Sequence, residues 1–349
     1  MATRSRPVVP WLERLEGRVL LSASGVSPGL VVPAVSSLAD DANNTLGVTD
    51  PDLVKEGNTY YVFSSGPGIE IRSSTDLMQW KVDGSVFPQG VPAWARAAVP
   101  GATSIWAPDV AFFAGQYHLY YAVSTYGSQR SVIGLATNTT LNPTDPVYRW
   151  VDQGLVVASR PGRDRFNAID PNVAVDGSGN VWLTFGSRWG GIQQLRIDPS
   201  TGRIQAAPAP RARASVRYTR TLAARPDGQT IEAPFLFERG GLDYLFVSVG
   251  NCCMGASSTY RVMVGRSSSP NGPFVDRSCQ PLTRGGGTLV VSRSRRWTGP
   301  GSASVLGDGP VDWIVFQADD ARNAGQPTLE LSPLTWTPDG WPVVVRPNG

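Results

Sequence analysis

Five times along this chain a short apolar run is followed by a glycine-containing turn and a second run rich in aromatic or β-branched residues. The first unit is Asp50-Pro51-Asp52-Leu53-Val54, Gly57, then Tyr60-Tyr61-Val62-Phe63. The second is Ala107-Pro108-Asp109-Val110-Ala111-Phe112-Phe113, Gly115, then Tyr117-His118-Leu119-Tyr120-Tyr121. The third runs from Asp170-Pro171-Asn172 through Gly177 and Gly179 to Val181-Trp182-Leu183-Thr184-Phe185. The fourth runs from Glu232-Ala233-Pro234 through Gly240-Gly241 to Tyr244-Leu245-Phe246-Val247, and the fifth from Gly301-Ser302 through Gly307 and Gly309 to Trp313-Ile314-Val315-Phe316. The units start near residues 50, 109, 170, 232 and 301, recurring roughly every 60–70 residues.

Each interval holds two further strand-like runs, such as Ile69–Ser74 and the segment around Trp80, or Ser131–Ala136 and the segment around Trp150. These runs are short, alternating or fully apolar, and bounded by Gly, Pro, Asn and Asp, which is the pattern of β-strands. No long helical period competes with them. Four antiparallel strands per unit, five times over, predict an all-β fold: a five-bladed β-propeller. The content of 38 Gly and 29 Pro supplies the turns that such a fold requires.

In a propeller the first strand of each blade is innermost, and its start faces the central channel. Four of the five starts carry an acid: Asp50, Asp109, Asp170 and Glu232; the fifth offers Ser302. Taken singly, an acid beside proline reads as a turn residue. Several acids in phase with a structural repeat read as a site, because clustered carboxylates repel one another.

Composition narrows the chemistry. The net charge is only +3, and no basic run interleaves with aromatics, so nucleic acid is not an expected partner. A single histidine, His118, leaves no room for a Ser-His-Asp triad or a multi-histidine metal site, and its strand-like setting assigns it a structural role. Cys252 and Cys253 are adjacent; the strained ring that would join them argues against a bond, and they are expected to be small buried apolar residues, with Cys279 able but not required to pair. No run of apolar residues is long enough to span a bilayer. The 11 Trp and 10 Tyr suit sugar stacking as well as core packing.

The ordered motifs resemble those of the glycoside hydrolase family 43 arabinanases. They are Thr49-Asp50-Pro51; Ser73-Ser74-Thr75-Asp76-Leu77 with Trp80; Ser104-Ile105-Trp106-Ala107-Pro108-Asp109; Asn167-Ala168-Ile169-Asp170-Pro171-Asn172; Phe185-Gly186-Ser187; Ile231-Glu232-Ala233-Pro234; Asn251-Cys252-Cys253 with Ser258-Thr259-Tyr260; Gly285-Gly286-Gly287-Thr288; and Gly340-Trp341-Pro342. The resemblance runs from about residue 45 to the C-terminus. It implies an inverting glycosidase cleaving α-1,5-L-arabinofuranosidic bonds in plant arabinan, with Asp50 as base, Glu232 as acid, and Asp170 orienting the acid and raising its pKa. Two alternatives share the fold: an exo-acting arabinofuranosidase or xylosidase, and a propeller that binds polysaccharide without cleaving it. Asp109 is expected to hold neighbouring loops by backbone hydrogen bonds rather than to act in catalysis.

Trp106, Asn167 and Trp94 are candidate substrate-binding residues, the tryptophans as sugar platforms and Asn167 through a sugar hydroxyl. In the family a histidine holds a central calcium where this chain has Ser302, and a second histidine stands where it has Gln317. Gln317 and Asp320 supply oxygens that suit calcium only if they converge. The expectation is therefore that no metal or other cofactor is bound. Residues 1–35 are read as a targeting or disordered segment and residues 36–349 as the catalytic propeller, acting as a monomer. Within the first segment, Leu15-Glu16-Gly17-Arg18-Val19-Leu20-Leu21 resembles the LEPR-XLL motif of bacterial surface and secreted proteins, departing from it at Gly17, and implies a secreted or cell-surface location. Pro208–Arg220, with its four arginines, departs from the family's usual loop.

Overall fold

The computed structural model describes residues 45–205 and 219–345. The N-terminal motif, the boundary at residue 36 and almost all of the arginine-rich loop lie outside them.

Five antiparallel sheets follow one another along the chain. The first blade is β1–β4: Asp52–Glu56, Thr59–Ser64, Glu70–Ser74 and Lys81–Ser85. The second, β5–β8, comprises Trp106–Phe113, Gln116–Val123, Ser131–Asn138 and Val151–Ser159. The third has β9 (Asn172–Val175), β10 (Val181–Phe185) and β11 (Ile192–Asp198), whose outer edge pairs with both β12 (Arg203–Ile204) and β13 (Arg220–Ala223). The fourth is β14–β17: Ile231–Arg239, Leu242–Val249, Arg261–Ser267 and Thr288–Val291. The fifth is β18–β21: Trp297–Asp308, Val311–Asp320, Gln326–Trp336 and Pro342–Val344. A propeller with four strands per blade is thus the observed architecture, the third blade sharing its outer position between two short strands.

Side chains from facing blades fill the interfaces. Tyr61, Phe63 and Ile71 of blade one pack with Leu119 and Tyr121 of blade two. Separate clusters join blades two and three, three and four, four and five, and five and one, where Leu53 and Val62 meet Val315 and Leu331. The middle strands, such as β6, β7 and β15, therefore bury both of their faces, which is why so many runs are continuously apolar rather than alternating. The ring is closed by residues preceding β1: Gly47 N–H donates to the Pro327 carbonyl and Leu329 N–H to the Thr45 carbonyl. Residues 45–47 thereby lie along the last blade and cover part of its edge.

The inner strands are also stitched side chain to backbone. Val110 N–H donates to Asp52 (2.8 Å), Val173 N–H to Asp109 (2.7 Å), Leu236 N–H to Asn172 (2.9 Å) and Leu53 N–H to Ser304 (2.9 Å). Between blades four and five the corresponding residue is Phe235, which has no acceptor. Asp109 thus joins blade two to blade three, the structural duty expected of it. Its carboxyl is pushed up to about 7, chiefly by burial.

These stitches fix the true phase of the repeat. Asp52, Asp109, Asn172, Phe235 and Ser304 are equivalent, so the channel-facing residues two places earlier are Asp50, Ala107, Asp170, Ala233 and Ser302. All five have positive φ, between 42° and 53°. In blades two, four and five the strand register slips at this point, a bulge that re-aims the side chain. The expectation that four acids stand in phase is corrected. Only Asp50 and Asp170 occupy the repeated position; Glu232 is one residue earlier on its strand, and Asp109 is two residues later and deeper.

Candidate active site

At the mouth of the channel a cavity of about 510 Å³ opens, and Asp50, Asp170 and Glu232 all line it. Asp50 and Asp170 also border a void of about 30 Å³ in the channel, lined by the inner-strand residues of all five blades. Three carboxylates from blades one, three and four therefore meet at one place, delivered by the positive-φ residues just before β1 and β9 and by the start of β14.

Each carboxylate is held differently. Asp50 accepts hydroxyl hydrogen bonds on both oxygens, from Ser302 Oγ (2.7 Å) and Ser65 Oγ (2.6 Å), and its N–H donates to Gln317 Oε1 (2.7 Å). Glu232 likewise accepts two, from Tyr260 Oη (2.7 Å) and Ser187 Oγ (2.5 Å). Asp170 accepts the Ala233 N–H (3.0 Å) from the next blade.

Burial raises the Asp170 carboxyl well above the usual carboxylate range, and the negative charges of Glu232 and Asp50 push it further. Glu232 is raised too, first by burial; the Ser187 and Tyr260 hydroxyls pull it down, Asp50 pushes it up, and the Arg188 guanidinium pulls it down. The Tyr260 phenol is pushed far up by burial and then by Glu232, so it remains a donor. The buried Asp170–Glu232 pair thus retains a proton to higher pH than a free carboxyl does. A carboxylic acid and an ionised carboxylate in one cavity can give a proton and take one in the same step.

Of the sequence-based substrate residues, Trp106 lines the cavity half-buried. Asn167 lines it as well; its side-chain oxygen accepts the Ser131 (2.7 Å) and Ser159 (3.3 Å) hydroxyls. Trp94 is a correction. It sits on a short helix, α1 (Ala93–Ala98), packs against the core between blades one and two, and donates its indole N–H to Asp152 (2.8 Å). Its apolar face is used for packing, and it does not line the cavity. His118 stacks on Phe113 at 3.6 Å between ring centroids, and burial lowers it to about 4, in keeping with a structural role.

The cysteines are a second correction. Cys252 and Cys253 are joined by a disulfide and line the cavity wall, Cys252 half-buried and Cys253 exposed, while Cys279 is free and exposed. Cys253 has a φ of 64°. Sequence reasoning also gave no role to Ser65, Ser187, Tyr260, Arg188, Trp189 or Tyr126. Ser187 and Tyr260 lay within quoted motifs, but nothing in the repeat marked them as partners of Glu232.

The oxygens nominated for a cation are occupied. Ser302 donates to Asp50, Gln317 accepts the Asp50 N–H, and Asp320 pairs with Arg296 at 2.8 Å. Among the described residues no group of three His, Cys, Asp or Glu side chains is placed to hold a metal ion. The donor set does not fit calcium.

A sequence model of glycosyl hydrolases family 43 matches residues 45–342. The chain is 39% identical over 315 residues to an extracellular exo-α-(1→5)-L-arabinofuranosidase of Cellvibrio japonicus, covering 88% of this chain and 89% of the relative. It is 35% identical over 330 residues to an extracellular endo-α-(1→5)-L-arabinanase of Bacillus subtilis, covering 92% and 95%. Among solved structures, a Cellvibrio cellulosa α-L-arabinanase complexed with arabinohexaose superposes with a TM-score of 0.80 at 37% identity, covering 86% of this chain and 96% of that one. An endo-arabinanase from Bacillus licheniformis does so with a TM-score of 0.77 at 38% identity, covering 86% and 98%.

Proposed function

The chain belongs to glycosyl hydrolase family 43, and on that footing we propose that it hydrolyses internal α-1,5-L-arabinofuranosidic bonds of arabinan with inversion at the anomeric carbon. The observation that carries this reading is the meeting of Asp50, Asp170 and Glu232 in one cavity, with Asp50 and Glu232 each held by two hydroxyl donors. Inversion needs an acid on one side of the bond and a base on the other, about 6.5–9.5 Å apart with a water between.

Asp50 is the base. Ser302 and Ser65 fix its plane, and it takes a proton from the attacking water. Glu232 is the acid and gives its proton to the departing glycosidic oxygen. Burial and the negative charge of Asp50 keep that proton in place until it is needed; the Tyr260 and Ser187 hydroxyls then stabilise the carboxylate left behind. Asp170 stands beside the acid as a coupled carboxyl, its own proton favoured by burial and by the charges of Glu232 and Asp50. No step runs through a metal, because the oxygens of Ser302 and Gln317 are engaged in holding Asp50. Trp106 and Asn167 bind the sugar from the wall. The relatives named extracellular support a secreted location, and among the described residues no helix is long and apolar enough to cross a membrane.

Exo action is the rival reading, supported by the name of the Cellvibrio japonicus relative. Sizing the early products from linear arabinan separates the two. A ladder of oligosaccharides supports internal cleavage, one fixed product supports exo action, and an undegraded polymer contradicts hydrolysis.

A further inference from the structure

The turn from Gly186 to Gly191 leaves β10, with Ser187 bonded to Glu232, and projects Arg188 and Trp189 at the cavity wall. Both tip residues have positive φ, 43° and 21°, a conformation that non-glycine residues rarely adopt without a reason in the surroundings. The turn is clamped. A Cβ on Gly186 would come within 2.4 Å of the Gly191 carbonyl oxygen, one on Gly190 within 2.2 Å of the Arg165 carbonyl oxygen, and one on Gly191 within 2.3 Å of the Ala223 carbonyl oxygen. Arg188 N–H donates to the Ile231 carbonyl, tying the tip to the residue before the acid. The tip is therefore fixed relative to Glu232.

What it presents is the one cationic side chain among the described residues lining a cavity that holds three carboxyl groups. Trp189 is 49% exposed. The Arg188 side chain is exposed, and no described residue offers its guanidinium a hydrogen bond or an ion pair. Its charge draws Glu232 toward the ionised form, against the burial that protonates it. A substrate that carries a negative charge of its own is drawn to the same guanidinium. A carboxylate on the guanidinium removes the pull and forms a charge-assisted, bidentate pair.

We propose that the Arg188–Trp189 tip is a leaving-group subsite for a sugar residue bearing a carboxylate, a uronic or aldonic acid, with the carboxylate on Arg188 and the carbon face of that residue against Trp189. The side is set by Ser187: the tip continues from the residue that holds Glu232, and the acid faces the departing sugar. The inference rests on Glu232 being the acid.

The test uses one linear α-1,5-arabinotriose in two forms, reduced to its alditol or oxidised to its aldonate, which differ chiefly in charge at the terminal unit. Release of that unit is followed for the wild type and for Arg188→Gln. The wild type is expected to favour the aldonate in kcat/KM by about tenfold, the low end for a hydrogen bond to a charged group. The preference should shrink as ionic strength rises, and in Arg188→Gln the ratio should fall to about one while Arg188→Lys keeps part of it. Equal rates for the two forms in the wild type, or a preference that survives Arg188→Gln, overturn the subsite. So does degradation of arabinan with neither trisaccharide cleaved. A wild type that cleaves neither trisaccharide nor arabinan overturns the hydrolase reading itself.

Discussion

Replacing Tyr260 by Phe removes one of the two hydroxyls on Glu232 and little else. The ring is buried and packs so closely on Gly301 that a Cβ there would lie 2.0 Å from it, so phenylalanine fills the same space. The lost bond, 2.7 Å long, favours the ionised acid. A hydrogen bond to a charged group contributes about 1.5–3 kcal/mol, and a part of that also serves the protonated form. Taking about 1.4 kcal/mol as the difference between the two forms gives about one pH unit. The alkaline limb of kcat/KM on an arabino-oligosaccharide should therefore move up by about one unit in Tyr260→Phe. The plateau should fall, because a weaker acid transfers its proton less readily and the new carboxylate has lost a donor. The assay is kcat/KM across the pH range for both proteins, with melting temperatures to show that the fold is kept. An alkaline limb that stays in place or moves down in a folded variant refutes the reasoning.

Asp170→Asn should act in the opposite direction. It removes the carboxyl whose ionisation is coupled to that of Glu232, so the alkaline limb moves down; an unchanged limb removes Asp170 from its role. Asp109 bears on stability. Its folded pKa of about 7 lies above the ordinary 3.8, so its contribution is intact below about 4 and is lost as pH rises toward 7. Melting temperatures should fall over that window in the wild type, and the fall should be shallower in Asp109→Asn; equal slopes contradict the assignment. Chelator treatment should leave arabinan hydrolysis unchanged and elemental analysis should find less than one calcium per chain, whereas a full complement lost together with activity shows that other oxygens replace the family histidine.

The blades were legible because glycine and proline bound their strands and because inter-blade packing makes the runs apolar. The phase was not. The acids at 50, 109, 170 and 232 drew the alignment, whereas the geometry follows the residue before proline in the first four blades: Asp50, Ala107, Asp170 and Ala233. Glu232 reaches the cavity from one position earlier, ahead of a bulge whose place the strand pattern does not show. Asp109 belongs with Asp52 in a layer of side chains that cap the next blade's N–H, a duty that aspartate, asparagine and serine all perform and that leaves no single motif. The partners of the acid come from elsewhere on their blades, Ser187 just after β10 and Tyr260 just before β16, outside any repeated position. Trp94 shows the reverse difficulty: its residue type suits a sugar platform, but a short helix folds the indole onto the core.

The central claim is that water attacks from the Asp50 side while Glu232 protonates the leaving oxygen on the other. Proton NMR of the products, recorded in the first moments of linear arabinan hydrolysis before mutarotation mixes the anomers, tests it most directly. Newly released reducing ends should appear first as the β-anomer, inverted from the α-linkage. First appearance of the α-anomer would mean a covalent intermediate and would contradict it.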